Sequence, residues 1–296
     1  MAGEVRSGTP QDDSSMGDRL VTARALLFVP ATRPERFGKA LASGADLVVI
    51  DLEDAVLPAA KDEARDNVAT WLRTAPPATV VRINAVGTRW HEADLELVAG
   101  SDCLVMLPKA ESNLADVTAR LGPQPRMLAL VETATGVINA FATARTPGVS
   151  RLAFGNFDLS AEIGTAPDDH SALQAARSQL VLASAAGGLS GPIDGVTGDI
   201  SDYERLALDV EHARRLGFTA RLCIHPAQVG PTIAGFEPKP ELVAWANEVV
   251  HAPLVEGVTL LNGHMIDAPV VARARRILAV AGRSNNPSEG RAAVPH

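Results

Sequence analysis

The sequence predicts an α/β protein folded as a (β/α)8 barrel, and three observations carry that reading. Eight short apolar runs recur along the chain with helix-like segments between them. The runs are near-continuously apolar rather than alternating, as parallel strands covered on both faces are. The 296 residues suit a barrel of about 250 residues with additions at its ends. A doubly wound open sheet is the competing architecture. The sequence has no glycine-rich dinucleotide fingerprint and no phosphate-binding loop, which weighs against it.

In order, the runs are LLFVP (26–30), DLVVIDLE (46–53), TVVRINA (79–85), CLVMLPK (103–109), RMLALVET (126–133), RLAFGNFDL (151–159), GPIDGVTGDI (191–200) and ARLCIHP (220–226). Ala/Leu/Arg-rich stretches with helical spacing lie between them, such as 34–44 and 172–188. Gly44, Gly187 and Gly217 end several of these, as glycine often does at a helix C-terminus. After the eighth run, 241–252 reads as a helix, and 257–279 as an extended piece or turn followed by a second helix. The expected organisation is a disordered leader over 1–24, the barrel over 25–235, C-terminal helices with a lid segment over 236–283, and a loose tail over 284–296.

Composition narrows the function. Lys and Arg number 27 against 35 Asp and Glu, a net charge of −8, which argues against nucleic acid as the main partner. No run approaches the roughly 18 apolar residues of a membrane span. The N-terminal stretch has no apolar core, and its acidic residues argue against a transit peptide. A cytoplasmic location is the expectation. Cys103 and Cys223 sit singly in apolar runs, so neither a disulfide framework nor a paired-cysteine metal site is expected.

The informative feature is the polar residue at the end of each run, because barrel enzymes place their chemistry at the C-terminal mouth. Arg33 and Arg36 follow the first run; Asp51, Glu53 and Asp54 close the second; Arg82 and Asn84 the third; Lys109 the fourth. Glu132 ends the fifth, Asn156 and Asp158 the sixth, Asp194 the seventh and His225 the eighth. A charge ending an apolar strand is costly to bury unless it is paired or ligating.

Glu132 and Asp158, on adjacent strands, read either as the protein ligands of an octahedral Mg²⁺ completed by water and substrate, or as partners of barrel arginines. Arg82 offers bidentate donors to a carboxylate or a developing oxyanion, or forms a structural pair with Asp51 or Glu53. Glu53 and Asp54 hold metal-bound waters or order Arg82. His225, before Pro226, reads as a packed histidine, and Lys109 as salt-bridged or substrate-facing, since its polar neighbours do not suit a Schiff base. Asp267, in GHMIDAP outside the eight units, reads first as a helix N-cap.

Together these blocks resemble the citrate lyase β-subunit-like branch of the HpcH/HpaI aldolase family over about residues 25–280. The resemblance rests on LFVPATRPERFGKALASGADLVVIDLEDAV, the K-x-E-A-R at 61–65, VVRINA, VMLPKAES, LVETATGV, IDGVTGDISD, LGFTARLCIHPAQV and GHMIDAPVVARA, in that order. It implies a Mg²⁺-dependent barrel lyase, with Mn²⁺ as a substitute. Such a lyase cleaves or forms a C–C bond in a 3-hydroxyacyl thioester: malyl-CoA, citramalyl-CoA or a citryl acyl carrier protein. It assigns the metal to Glu132 and Asp158, the thioester carbonyl contact to Arg82, and second-layer carboxylates to Glu53 and Asp54. Asp267 matches an acid/base on a segment that closes over a neighbouring subunit's barrel, which implies a homotrimer or hexamer. Arg33, Arg36 and Lys39 are candidates for the CoA phosphates. The chain departs from the family at FGNFDLS, where Asn156 and Phe157 precede Asp158 and many members carry an acidic residue. Substrate identity therefore does not carry over. The remaining readings are a carrier-protein citrate lyase subunit and a non-catalytic metal- or acyl-CoA-binding barrel.

Overall fold

The computed structural model describes residues 16–74, 78–111, 114–124, 126–252 and 258–284. Eight strands close into a barrel in chain order: β1 (Ala25–Pro30), β2 (Leu47–Asp51), β3 (Thr79–Arg82), β4 (Leu104–Leu107), β5 (Met127–Val131), β6 (Val149–Phe154), β7 (Ile193–Asp194) and β8 (Ala220–Cys223). Every neighbouring pair is parallel, and β1 joins β8 with Leu26 opposite Leu222. Helices fill the crossovers, among them Lys61–Leu72, His91–Ala99, Ala134–Ala144, His170–Ala186 and Tyr203–Leu216. The barrel is the expected fold, built from all eight runs.

Strand periodicity divides the core in two. Leu26, Leu47, Val49, Val80, Leu104, Met106, Leu128, Leu130, Ile193 and Leu222 form one buried cluster inside the barrel. Their chain neighbours Leu27, Val48, Ile50, Val81, Val105, Ala129 and Cys223 join the helices in a second, outer cluster. Both faces are therefore apolar, which is why the sequence shows continuous runs.

The end of the stretch expected as a leader over 1–24 is ordered into a helix. Residues 1–15 lie outside the described residues, but Met16–Thr22 is a helix, and its Leu20, with Ala23 just beyond, joins the interior cluster. Arg151, fully buried inside β6, holds the end of this helix by donating to the carbonyls of Leu20 and Ala23 at 2.8 Å each. It also reaches the Gly191 carbonyl at 2.8 Å and the Thr219 hydroxyl at 2.7 Å.

Two strand ends also differ from expectation. β6 stops at Phe154, and Asn156–Ile163 is a helix, so Asn156 and Asp158 occupy its first turn rather than a strand. β7 has two residues only, with Ile193 facing inward and Asp194 outward. Asp194 is 1% exposed and bonds Arg177 at 2.9 Å and Arg221 at 2.5 Å, so it is a structural carboxylate outside the mouth.

The barrel unit ends at Phe236, and a separate compact unit begins at Glu237. In that second unit the helices Pro240–His251 and Ala268–Ser284 pack through Ala246, Val249 and Ala274. Strands β9 (Thr259–Leu261) and β10 (His264–Ile266) form a hairpin that adds Ile266 to this core. Asn262 and Gly263 make its turn, both at positive φ (51° and 78°), the conformation an Asn-Gly hairpin adopts. The expected tail lies, past Ser284, outside the described residues. Among the described residues no helix is long and apolar enough to cross a membrane.

Candidate active site

The inward register of the strands delivers the charged side chains. Asp51 continues the inward series of Leu47 and Val49, Arg82 that of Val80, and Glu132 that of Leu128 and Leu130. All three surface at the C-terminal end of the barrel, where a cavity of about 430 Å³ opens. Its walls are Phe28, Leu130, Phe154, Phe157 and Leu222, and its charged groups are Asp51, Asp54, Arg82, Glu132 and Asp158. An apolar cup with a few convergent charges is what a small-molecule site requires.

Arg82 is the fixed cation of this cup. Its Nε donates to Asp51 Oδ1 at 2.7 Å and its Nη2 to Asp51 Oδ2 at 2.6 Å, a bidentate pair. Nη1 lies 2.9 Å from Glu53 Oε2 and 3.3 Å from Asp54 Oδ2. Burial opposes the guanidinium's charge, but Asp51, Glu53 and Asp54 outweigh it and hold its pKa above the ordinary value. Arg82 is thus an ion-paired residue that also lines the cavity: Asp51 fixes the fork while Nη1 turns toward the loop after β2.

That loop is anchored from beneath. Lys61, 4% exposed, donates to the carbonyls of Leu52 (2.6 Å) and Glu53 (2.7 Å) and to Asn84 Oδ1 (2.6 Å). Asn84 in turn donates to Asp94, which accepts Arg65 Nε at 2.8 Å. Lys61 stood in the sequence only as part of a family block. Its signal was a lysine opening a helix eight residues after Glu53, and nothing in that spacing reveals the three carbonyl oxygens it meets.

Glu132 is 2% exposed, and its Oε1 accepts the Lys109 backbone N–H at 2.9 Å. Burial first, and then the Glu53 and Asp158 carboxylates, push its pKa up to about 8. Burial likewise raises Glu53 to about 7 against the pull of Arg82. Lys109 sits at φ 49° after β4, with its ammonium 3.4 Å from Glu53 Oε1 and 3.7 Å from Asp158 Oδ1. It is salt-bridged, one of the two roles expected. Asp158 projects from the first turn of its helix, and neither it nor Glu132 has an arginine within ion-pair distance among the described residues.

These two carboxylates fit a hard divalent cation. Among the described residues no cluster of three or more His, Cys, Asp or Glu could hold a metal, so water and substrate would complete an octahedral shell, as Mg²⁺ prefers. The cost of burying Glu132 as an anion beside like charges is the kind a cation offsets. Gly155 makes room for it: a Cβ there would stand 2.4 Å from Glu132 Cβ and 2.6 Å from Oε2.

The other expected residues lie elsewhere. Arg33 bonds Glu35 at 2.7 Å, and Arg36 stands 3.9 Å from the same carboxylate. Both are about half exposed and, like Lys39, outside the cavity wall. His225 lies past the end of β8 and caps the 3-10 turn Pro226–Gln228, its Nδ1 accepting Ala227 N–H at 3.2 Å; it is hydrogen-bonded as expected but exposed rather than packed. Asp267 belongs to the C-terminal unit, where its Oδ1 accepts Val270 N–H at 3.2 Å at the head of the Ala268–Ser284 helix.

Paired carboxylates beside a fixed cation at a barrel mouth suit reactions in which a C–C bond breaks next to a carbonyl and negative charge must be held. The class of protein is a carbon–carbon lyase on a (β/α)8 barrel. The profile of the HpcH/HpaI aldolase/citrate lyase family matches residues 24–226, and the chain belongs to that family. It is 39% identical to the citrate lyase subunit beta-like protein of Mycobacterium tuberculosis H37Rv over 88% of this chain and 96% of that one. It is 34% identical to a (3S)-malyl-CoA thioesterase of Cereibacter sphaeroides over 87% and 94% of the two chains. The structure of M. tuberculosis CitE in complex with magnesium, acetoacetate and coenzyme A superposes with a TM-score of 0.77 at 37% identity, covering 88% of this chain and 98% of that one.

Proposed function

We propose that the protein cleaves, reversibly and with Mg²⁺ or Mn²⁺, a 3-hydroxyacyl-CoA thioester such as malyl-CoA or citramalyl-CoA into acetyl-CoA and a 2-oxo acid. The observation that carries this reading is the pairing of Glu132 and Asp158, free of any arginine partner in the described residues, in the same cup as Arg82. A bound Mg²⁺ supplies Lewis-acid charge to the substrate's carboxylate and the hydroxyl beside it. Glu132 and Asp158 hold that ion, while Glu53 and Asp54 order Arg82 and the metal's waters.

The substrate hydroxyl gives its proton to solvent and becomes the carbonyl of the 2-oxo acid as the C–C bond breaks, and the electron pair of that bond passes into the thioester and leaves an enolate. Arg82 stabilises that charge where it develops, an interaction worth about 2.7–4 kcal/mol per donor. Asp267 protonates the enolate carbon to give acetyl-CoA, or removes the same proton in the condensing direction. Arg33, Arg36 and Lys39, on the segment following β1, take the CoA phosphates. Asp267 serves a neighbouring subunit of a homotrimer or hexamer. The apolar walls of the cup keep water from the enolate.

The test is a coupled assay for thiol and 2-oxo acid on the purified protein, with both enantiomers of malyl-CoA and citramalyl-CoA and an EDTA control. Metal-dependent release of acetyl-CoA with glyoxylate or pyruvate is expected. Release of free CoA and malate alone means hydrolysis, the reaction named for the C. sphaeroides relative. Silence on every CoA ester with metal binding intact points to a carrier-protein thioester or a non-catalytic barrel.

A further inference from the structure

A second cavity of about 460 Å³ lies behind the first. Three residues line both: Asn156, Phe157 and Val196. They form the partition, and two of them are locked. Asn156 donates to the Val196 carbonyl at 3.1 Å and accepts the Val196 N–H at 3.0 Å, and it also donates to the Pro167 carbonyl at 3.0 Å. The third is a lone aromatic ring. Phe157 is 45% exposed and rests on Gly198, where a Cβ would stand 2.8 Å from its Cζ. An exposed phenylalanine forfeits apolar burial, and this one lines the cup together with Asp158, so its ring is part of the wall that a ligand in the cup would meet.

The rear cavity differs in character from the cup. Arg177, Arg205, Arg221 and His170 line it, but they are paired with Asp194 and Asp209 at 2.8–3.0 Å. Asp168, Asp199 and Asp202 line it as well, so its wall carries an excess of carboxylates and disfavours a ligand side chain with a negative charge.

We propose that Phe157, seated on Gly198, is a specificity-determining residue that limits the 2-oxo acid fragment to hydrogen or methyl as its side chain, and that removing the ring opens the rear cavity to longer uncharged side chains. This rests on the lyase reading. The fragment held by Glu132 and Asp158 through the metal is the 2-oxo acid, and the side chain on its carbonyl carbon is the part that meets the residue beside Asp158. The ring is the largest side chain of the partition and takes no part in the hydrogen bonds that tie Asn156 to Val196 and Pro167.

The experiment is calorimetric titration of glyoxylate, pyruvate, 2-oxobutyrate and 2-oxovalerate into the Mg²⁺-loaded wild type, Phe157→Leu and Phe157→Ala, with metal-free controls. The wild type is expected to favour the first two acids. The affinity ratio of 2-oxovalerate to pyruvate should rise about tenfold or more in Phe157→Ala, the scale of a methylene or two in an apolar pocket, and by less in Phe157→Leu. An unchanged ratio with pyruvate still bound overturns the partition. Failure of the wild type to bind any 2-oxo acid with Mg²⁺ present overturns the lyase reading, and this inference with it. If circular dichroism finds Phe157→Ala unfolded, Phe157→Leu carries the same test.

Discussion

Arg82 and Asp51 meet through two parallel hydrogen bonds, 2.7 and 2.6 Å long, from the ends of adjacent strands paired in register. The geometry leaves Nη1 as the guanidinium nitrogen turned to Glu53 and Asp54. All three nitrogens are engaged by carboxylates, so the guanidinium is fixed before any substrate arrives, and a cation that need not reorganise is where electrostatic stabilisation of a developing anion comes from.

Lysine keeps the charge but not the fork. Arg82→Lys is expected to leave the barrel folded, by circular dichroism, and to lower kcat by about 10²-fold or more, the scale of losing one such donor. KM should change far less, because the lost contact is strongest in the transition state. A parallel rise in KM with unchanged kcat would contradict the assignment.

Glu132 carries a pKa raised to about 8, so its protonated form dominates in the metal-free protein below that value. Relative to the ordinary carboxyl value of 4.5, the folded protein holds an extra proton from about pH 4.5 to 8. The stabilisation from that proton is complete below 4.5 and lost as pH rises through 8. A divalent cation must displace it. Mg²⁺ affinity is expected to rise by about tenfold per pH unit toward pH 8 and then level, with one proton released per ion. Titration calorimetry in buffers of different ionisation heat counts that proton, and Glu132→Gln should abolish both binding and release.

The residues that sequence made legible are those where an apolar run ends in charge. Arg82 follows Val80 and Glu132 follows Leu128 and Leu130 on the inward face, so strand periodicity alone aims them. The same signal misplaced Asp194, because a two-residue strand has no alternation to read and Ile193 takes the inward position. Its partners Arg177 and Arg221 come from a helix and another strand, and sequence spacing does not join them. Asp158 was read at the end of a strand, whereas Gly155 breaks β6 and a helix begins. Arg151 stands at the head of the sixth run, where the sequence assigns it no role. What it holds, the carbonyls at the end of the Met16–Thr22 helix, follows only from barrel closure.

That role of Arg151 makes a stability prediction. Arg151→Met removes a buried charge but leaves three carbonyls and the Thr219 hydroxyl without this partner. A net loss of about 2–4 kcal/mol is expected, since buried acceptors left bare cost roughly 1–3 kcal/mol each and the relieved charge burial offsets part of that. Urea unfolding measures it. Amide exchange should show the barrel floor near Leu20 losing protection while the Glu132 mouth keeps its own.

Asp267 offers a separation that few acid–base candidates allow. Its carboxylate caps the helix Ala268–Ser284 through the Val270 N–H, and asparagine caps about as well as aspartate, whereas alanine costs about 1 kcal/mol. Asp267→Asn therefore removes the proton and spares the cap. Turnover should fall by about 10²-fold or more, the usual loss for an acid–base group, with the melting temperature and Mg²⁺ affinity unchanged. Asp267→Ala should lose both turnover and stability. Because the proposed acid/base serves a neighbouring subunit, co-expressing Asp267→Asn with Glu132→Gln should restore part of the activity in mixed oligomers. Each inactive chain then supplies the group the other lacks. Mixed oligomers as inactive as either parent would place Asp267 and Glu132 in the service of one and the same chain.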